Sequence, residues 1–231
     1  MERNLSVGGV FATAFSVFRS RMRVLVPIGL VSTLLVSAIS ALLGEGAIGV
    51  IVGFIVDMAY FAFVTAVAMV VLRDLREERP ASSARELLAR ALPLLPTVTL
   101  ATTLVFVAVC GAAVLLVVPG LYLATIWAVL LPVVVVERPD LSDAFGRSRQ
   151  LVRRDGWKVL GILLLLGLIL VGTSLPFVFL VEGEMAHRLI GALISSFTTP
   201  FAALVLGALY YRLLDIEQAG LVLQQPGDGA G

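Results

Sequence analysis

The chain has 231 residues, of which 59% are apolar and 14% charged, against about 25% charged in ordinary soluble domains. That balance excludes a soluble globular fold, and a single His with a single Cys excludes a His/Cys metal cluster and an internal disulfide. A net charge of +1 argues against nucleic acid as a partner. No phosphate loop, dinucleotide fingerprint or nucleophile elbow is present, so no cofactor is expected.

Ahead of the first long apolar run, residues 8–23 carry Val10, Phe11, Ala14, Phe15, Val17 and Phe18 at helical spacing, followed by Arg19, Arg21 and Arg23. This predicts a helix lying on the membrane surface. The first run, 24–43, is long enough to cross about 30 Å of hydrocarbon. The second, 48–72, contains Asp57, the one acid deep inside a span, about 13–14 Å from its start at about 1.5 Å per residue. A charge at that depth costs at least about 2.5–3.5 kcal/mol and must find protein or water. Gly49, Gly53 and Asp57 recur at intervals of four, and the glycines suit close helix packing. Thr33 and Ser37 of the first span lie at matching depth, so Asp57 is expected to hydrogen-bond toward them. It serves either as a polar clamp between helices or as a proton or cation site.

Ser83 to Leu95 reads as a second surface helix, opened by a capping box at Ser83-Ala84-Arg85-Glu86. The apolar stretch 97–136 is too long for one span and is divided at Pro119-Gly120, a turn signal, into spans 97–118 and 121–136. A third surface helix is expected from Leu141 to Arg154, with Arg147, Arg149, Arg153, Arg154 and Lys158 clustered around and after it. These five cations are candidates for binding anionic lipid headgroups, and Glu137 is positioned to pair with one of the arginines. Spans five and six cover 159–181 and 189–213. The sixth carries Ser196, Thr199 and Pro200, a predicted kink whose freed backbone groups nearby hydroxyls satisfy, or a polar lining for a substrate path. Thr173, Ser174 and Pro176 predict a similar break in the fifth. His187 falls in the loop between them, Cys110 reads as a buried small residue, and Trp157 and Tyr210 read as interface anchors.

Sixteen of the 17 Lys and Arg lie on one side of this arrangement. An excess of Lys and Arg marks the cytoplasmic side, which places both termini there, and an even number of spans agrees. The expected fold is an all-α integral membrane protein, with six transmembrane helices as three hairpins and cytoplasmic amphipathic interfacial helices. One domain covers 1–218, and 219–231 form a disordered cytoplasmic tail. A bacterial plasma membrane is the expected location.

Several segments carry a family likeness. They are Pro119-Gly120-Leu121-Tyr122-Leu123, Trp127-Ala128, Leu131-Pro132 through Glu137, Ala144-Phe145-Gly146-Arg147-Ser148-Arg149-Gln150-Leu151-Val152-Arg153, and Trp157-Lys158-Val159-Leu160-Gly161. Together they resemble the membrane domain attached to some glycerophosphoryl diester phosphodiesterases, and are similar to related six-span prokaryotic membrane proteins. Thr199-Pro200 and Leu209-Tyr210-Tyr211-Arg212-Leu213 fit the same pattern. The resemblance implies a stand-alone membrane domain without the phosphodiesterase, and it carries over no catalytic residue. The expectation is therefore a non-enzymatic scaffold or accessory factor in a lipid or envelope process. Its partners would be membrane lipids and another membrane or envelope protein. The alternative is a small proton- or ion-coupled transporter or channel using Asp57.

Overall fold

The structure, a computed structural model, describes residues 5–43, 46–80, 82–180 and 183–224. Among them there are nine α-helices, one short 3-10 turn and no strand. In chain order they are α1 (Val7–Leu43), α2 (Ala47–Arg76), α3 (Ala84–Ala91), the turn Leu92–Leu94, α4 (Leu95–Leu115), α5 (Val117–Ile126), α6 (Leu130–Val136), α7 (Leu141–Val152), α8 (Gly156–Leu180) and α9 (Glu184–Gln224). Six stretches are long and apolar enough to cross a membrane: Val7–Leu43, Ala47–Arg76, Ala84–Leu115, Val117–Val136, Gly156–Phe177 and Leu189–Gly220. The chain is a multi-pass membrane protein.

The two long helices α1 and α9 form the most extensive pairing in the bundle. They run antiparallel. Gly9 approaches Arg212, while Gly29 packs on Ser196 and Pro200. Phe11 and Phe18 of α1 stack on Phe201 at 6.4 and 6.0 Å. These contacts overturn the expectation of a separate surface helix at 8–23. Nothing between Arg23 and Val24 breaks the ladder, and the apolar face of 8–23 is covered by α9, so one helix of 37 residues continues from it into the span. The other two amphipathic segments form helices, as α3 and α7, and α3 leads through the turn Leu92–Leu94 directly into α4. At α3 both bonds of the capping box are made, Glu86 N to Ser83 Oγ at 3.4 Å and Ser83 N to Glu86 Oε2 at 3.0 Å.

The turn between spans three and four sits at Leu116, whose extended backbone (φ −157°, ψ 134°) separates α4 from α5. Pro119 and Gly120 lie inside α5 instead. Proline is tolerated in a first helical turn, where its missing N–H has no intrahelical partner. Glycine there serves packing, because a Cβ at Gly120 would stand 2.6–2.9 Å from Cβ, Cα and N of Ala113 on α4. The fourth span is α5 and α6 together, interrupted at Trp127–Val129. The interruption frees the carbonyl of Ile126, which accepts a 2.9 Å bond from the buried Ser148 hydroxyl of α7.

No break occurs at Pro176 or Pro200, since α8 and α9 run through them. Residues 219–224 are helical rather than disordered, as the end of α9, and 225–231 lie outside the described residues. His187 belongs to α9, not to a loop, and Cys110 is exposed on α4 rather than buried.

Burial is uneven along the bundle. The core is made of Ala62–Leu72 in α2, Val129–Val135 around α6 and Ala202–Leu213 in α9, all toward the arginine-rich end. The opposite half leaves Val31, Leu42, Ile51, Val114, Leu168 and Phe179 open to their surroundings. That apolar exposure is unfavourable in water and neutral in hydrocarbon, so it suits a membrane.

Candidate functional site

Thr33 of the first span and the hydroxyls of Ser196 and Thr198 in the sixth are drawn into helix packing or local hydrogen bonds. Thr33 is buried, donates to the Gly29 carbonyl at 2.8 Å and lies 2.8 Å from the Tyr60 hydroxyl of α2. That hydroxyl is 3.4 Å from the carbonyl of Ser195 on α9. The clamp between helices is therefore Tyr60, and Asp57 takes no part in it. Each step of four along a helix advances about 40° around its axis. From Gly49 through Gly53 the stripe has drifted about 80° by Asp57, while Tyr60 returns to within about 20° of the Gly49 direction. Gly53 faces Ser40 of α1 and Phe54 packs on Phe106 of α4 at 5.4 Å. Asp57 projects between those two directions, exposed, with no hydrogen bond or ion pair among the described residues. Ser37 is half-buried and makes no such contact either.

Ser196 and Pro200 are buried against Gly29, where an added Cβ would come within 3.0 Å of the Ser196 carbonyl. Ser196 donates to Leu193 O at 2.6 Å and Thr198 to Ile194 O at 3.0 Å. Thr199 is half-buried beside them. The Ser196 and Thr198 hydroxyls bond to carbonyls of their own helix rather than to the Ser196 carbonyl that Pro200 frees, and the glycine opposite lets α1 close onto the proline.

At the arginine-rich end, Arg147 joins three helices. Its guanidinium forks onto Glu217 of α9, with both N–H···O distances 2.7 Å, and its Nε donates to Glu137 at 3.1 Å. The Tyr210 hydroxyl donates to the same Glu137 at 2.9 Å. The expected pairing of Glu137 with an arginine of the cluster is made, and the arginine is Arg147. The hydrogen bonds to Glu217 raise its pKa further above the ordinary arginine range. Tyr210 is fully buried, not an interface anchor, whereas Trp157 is 87% exposed. Lys158 pairs with Asp155 at 2.8 Å. Arg149, Arg153 and Arg154 are exposed and have no ion-pair partner among the described residues. Of the five cations singled out together, the fold commits two to carboxylates and leaves three available.

A second group of arginines surrounds the junction of α2, α3 and α6. Asp74 is buried and accepts bonds from Ser82 Oγ at 2.7 Å and Arg90 at 3.0 Å, which ties α3 to the end of α2. Glu77 holds both Arg73 at 2.8 Å and Arg79 at 2.6 Å. The Arg73 hydrogen bond pulls the Glu77 carboxyl below its usual range. Arg73, Asp74, Arg79 and Arg90 border, with Arg138, a cavity of about 300 Å³. Sequence reasoning counted Arg73, Arg79, Arg90 and Arg138 as topological charge only. Their convergence depends on α6 docking beside α2, and no local pattern announces that contact.

Among the described residues there is no group of His, Cys, Asp and Glu able to hold a metal. Comparison with protein-family models, with curated proteins and with solved structures returns no match to this chain.

Proposed function

We propose that this membrane protein is a non-enzymatic accessory factor in a lipid or envelope process, and that it binds anionic lipid at its arginine-rich end. The observation that carries this reading is the set Arg149, Arg153 and Arg154, exposed and without carboxylate partners among the described residues, at the turn where α7 leads into the apolar span of α8. Cations at that level meet phosphate rather than water, each contributing roughly 1 kcal/mol against an anionic surface. In this reading the end is cytoplasmic, and the resemblance to the phosphodiesterase-linked membrane domain supports a lipid context. The protein's partners are then lipids and another membrane or envelope protein.

The test is native mass spectrometry from nanodiscs of mixed phosphatidylglycerol and phosphatidylcholine. The wild type is expected to retain the anionic lipid preferentially. The triple change Arg149→Gln, Arg153→Gln and Arg154→Gln is expected to lower that retention by about a hundred-fold, roughly 1 kcal/mol for each of the three cations. Equal retention of both lipids by the wild type would sink the reading.

One observation favours a second reading, a small proton- or ion-coupled transporter or channel. Asp57 is exposed within a membrane-crossing helix and has no partner among the described residues, where an intramembrane acid ordinarily marks a pathway. Under this reading Asp57→Asn abolishes ion-coupled flux into proteoliposomes while the protein stays folded. Under the first reading the same change leaves anionic-lipid retention unaltered.

A further inference from the structure

The apolar wall of the cavity at the α2–α3–α6 junction comes from the last residues of two spans, Met69 and Val70 of α2 and Val135 and Val136 of α6, with Leu94 leading into α4. Arg73, Arg79, Arg90 and Arg138 stand around it. The cavity therefore lies at the depth where hydrocarbon gives way to headgroups, apolar on the membrane side and lined beyond by the four arginines and Asp74. Its volume of about 300 Å³ is at the lower end of ligand pockets, which run about 300–1,000 Å³.

The charges around it do not cancel. Asp74 and Glu77 are the only carboxylates engaged with these arginines among the described residues, and both are already shared, Asp74 with Ser82 and Glu77 between two guanidiniums. Arg138 has no ion-pair partner among the described residues. Its backbone is also unusual, with φ at +50° directly before Pro139. A non-glycine residue seldom occupies that region, and a following proline normally favours extended backbone. The fold thus holds an uncompensated guanidinium beside three others. Planar guanidiniums recognise tetrahedral phosphate through paired N–H···O bonds, and one anion shared among them relieves their mutual repulsion.

We propose that this pocket binds the phosphate group of an anionic lipid, with the first part of the lipid lying on Val70, Leu94 and Val136. The inference rests on the anionic-lipid reading above and moves its specific site from the α7 arginines to the open-sided cavity at the α2–α3–α6 junction, whose arginines are also exposed. Free phosphate offers the same group without the apolar part.

The experiment titrates delipidated protein in a neutral detergent with a short-chain phosphatidylglycerol and, separately, with inorganic phosphate. The variants are Arg138→Gln and Arg138→Gly. Glycine suits the positive φ, so Arg138→Gly is expected to unfold at or above the wild-type temperature while losing the ligand. The expected result is saturable binding of the short-chain lipid, weakened about ten-fold or more by both variants, in keeping with a charge-assisted phosphate contact. Inorganic phosphate is expected to bind more weakly than the lipid. Phosphate binding as tight as the lipid would overturn the lipid assignment and leave free phosphate as the ligand. Unchanged lipid affinity in both well-folded Arg138 variants would overturn the pocket. In that case, a loss of retention in the Arg149, Arg153, Arg154 triple variant would show that the broader anionic-lipid reading survives, and its absence there as well would remove both.

Discussion

Arg147→Gln is expected to destabilise the protein by about 2 kcal/mol, measured as reversible unfolding in mixed micelles. Three side chains converge on this arginine's role. Glu217 receives a forked pair of 2.7 Å bonds, Glu137 receives the Nε–H, and Tyr210 donates to Glu137 from the other side. Removing one member of a buried ion pair costs about 3–5 kcal/mol because the partner's charge is stranded. Here the side chains of Arg147, Glu137 and Glu217 retain 24%, 29% and 26% exposure, so water screens part of that penalty. Two carboxylates would also face each other with no cation between them.

Arg147→Lys is expected to recover less than half of the loss, since an ammonium cannot make the planar forked contact. A double-mutant cycle with Glu217→Gln is expected to show a coupling of about 1 kcal/mol or more. If Arg147 acted chiefly as a headgroup ligand, the outcome would be different. Lipid retention would fall, stability would hardly change, and no coupling to Glu217 would be found.

Gly120→Ala is expected to cost about 2–3 kcal/mol, the upper part of the range of about 1–3 kcal/mol for forcing an extra methyl into a packed interface. The added Cβ would sit 2.6–2.9 Å from Ala113 atoms, two of them backbone. Backbone cannot rotate aside as a side-chain tip can. The α4–α5 hairpin must therefore open, and it is one of the most closely paired units in the bundle. Gly120→Leu is expected to be worse and to lower the yield of folded protein. Gly111→Ala is the internal control, because a Cβ there meets nothing within 4 Å. It should leave the unfolding temperature within experimental error. Ala113→Gly in the Gly120→Ala background should restore only part of the loss, since the Cα and N of residue 113 remain in place. Equal behaviour of Gly111→Ala and Gly120→Ala would show that α4 and α5 are not in close contact.

These two sites differ in how far the residues themselves announced them. Glu137 was recognisable as a partner for a nearby arginine, because an acid at the end of a span beside a basic helix has few alternatives. That the arginine is Arg147, and that Glu217 and Tyr210 complete the group, depends on where α9 crosses α7. The turn at Leu116 had no local signature, because a leucine in extended backbone is ordinary. The stronger signal, Pro119-Gly120, was spent on a helix start and a close helix contact. Asp57 failed to reach α1 through phase alone. A stripe of four-residue steps drifts around the helix, and by its third member it has left the face that the glycines define.

What the sequence determined by itself was whatever depends on composition and short spacing. Six long apolar runs, an all-helical chain, the capping box at Ser83 and the short amphipathic helices α3 and α7 all follow from hydropathy and side-chain-to-backbone bonding within a few residues. Tertiary structure decided which polar groups meet. It made α1 one continuous helix by covering Phe11 and Phe18 with α9. It assigned Arg147 to two carboxylates and drew Arg73, Arg79, Arg90 and Arg138 around one cavity. Those pairings join residues distant along the chain, and they are set by how the packed helices cross, a quantity that local periodicity does not encode.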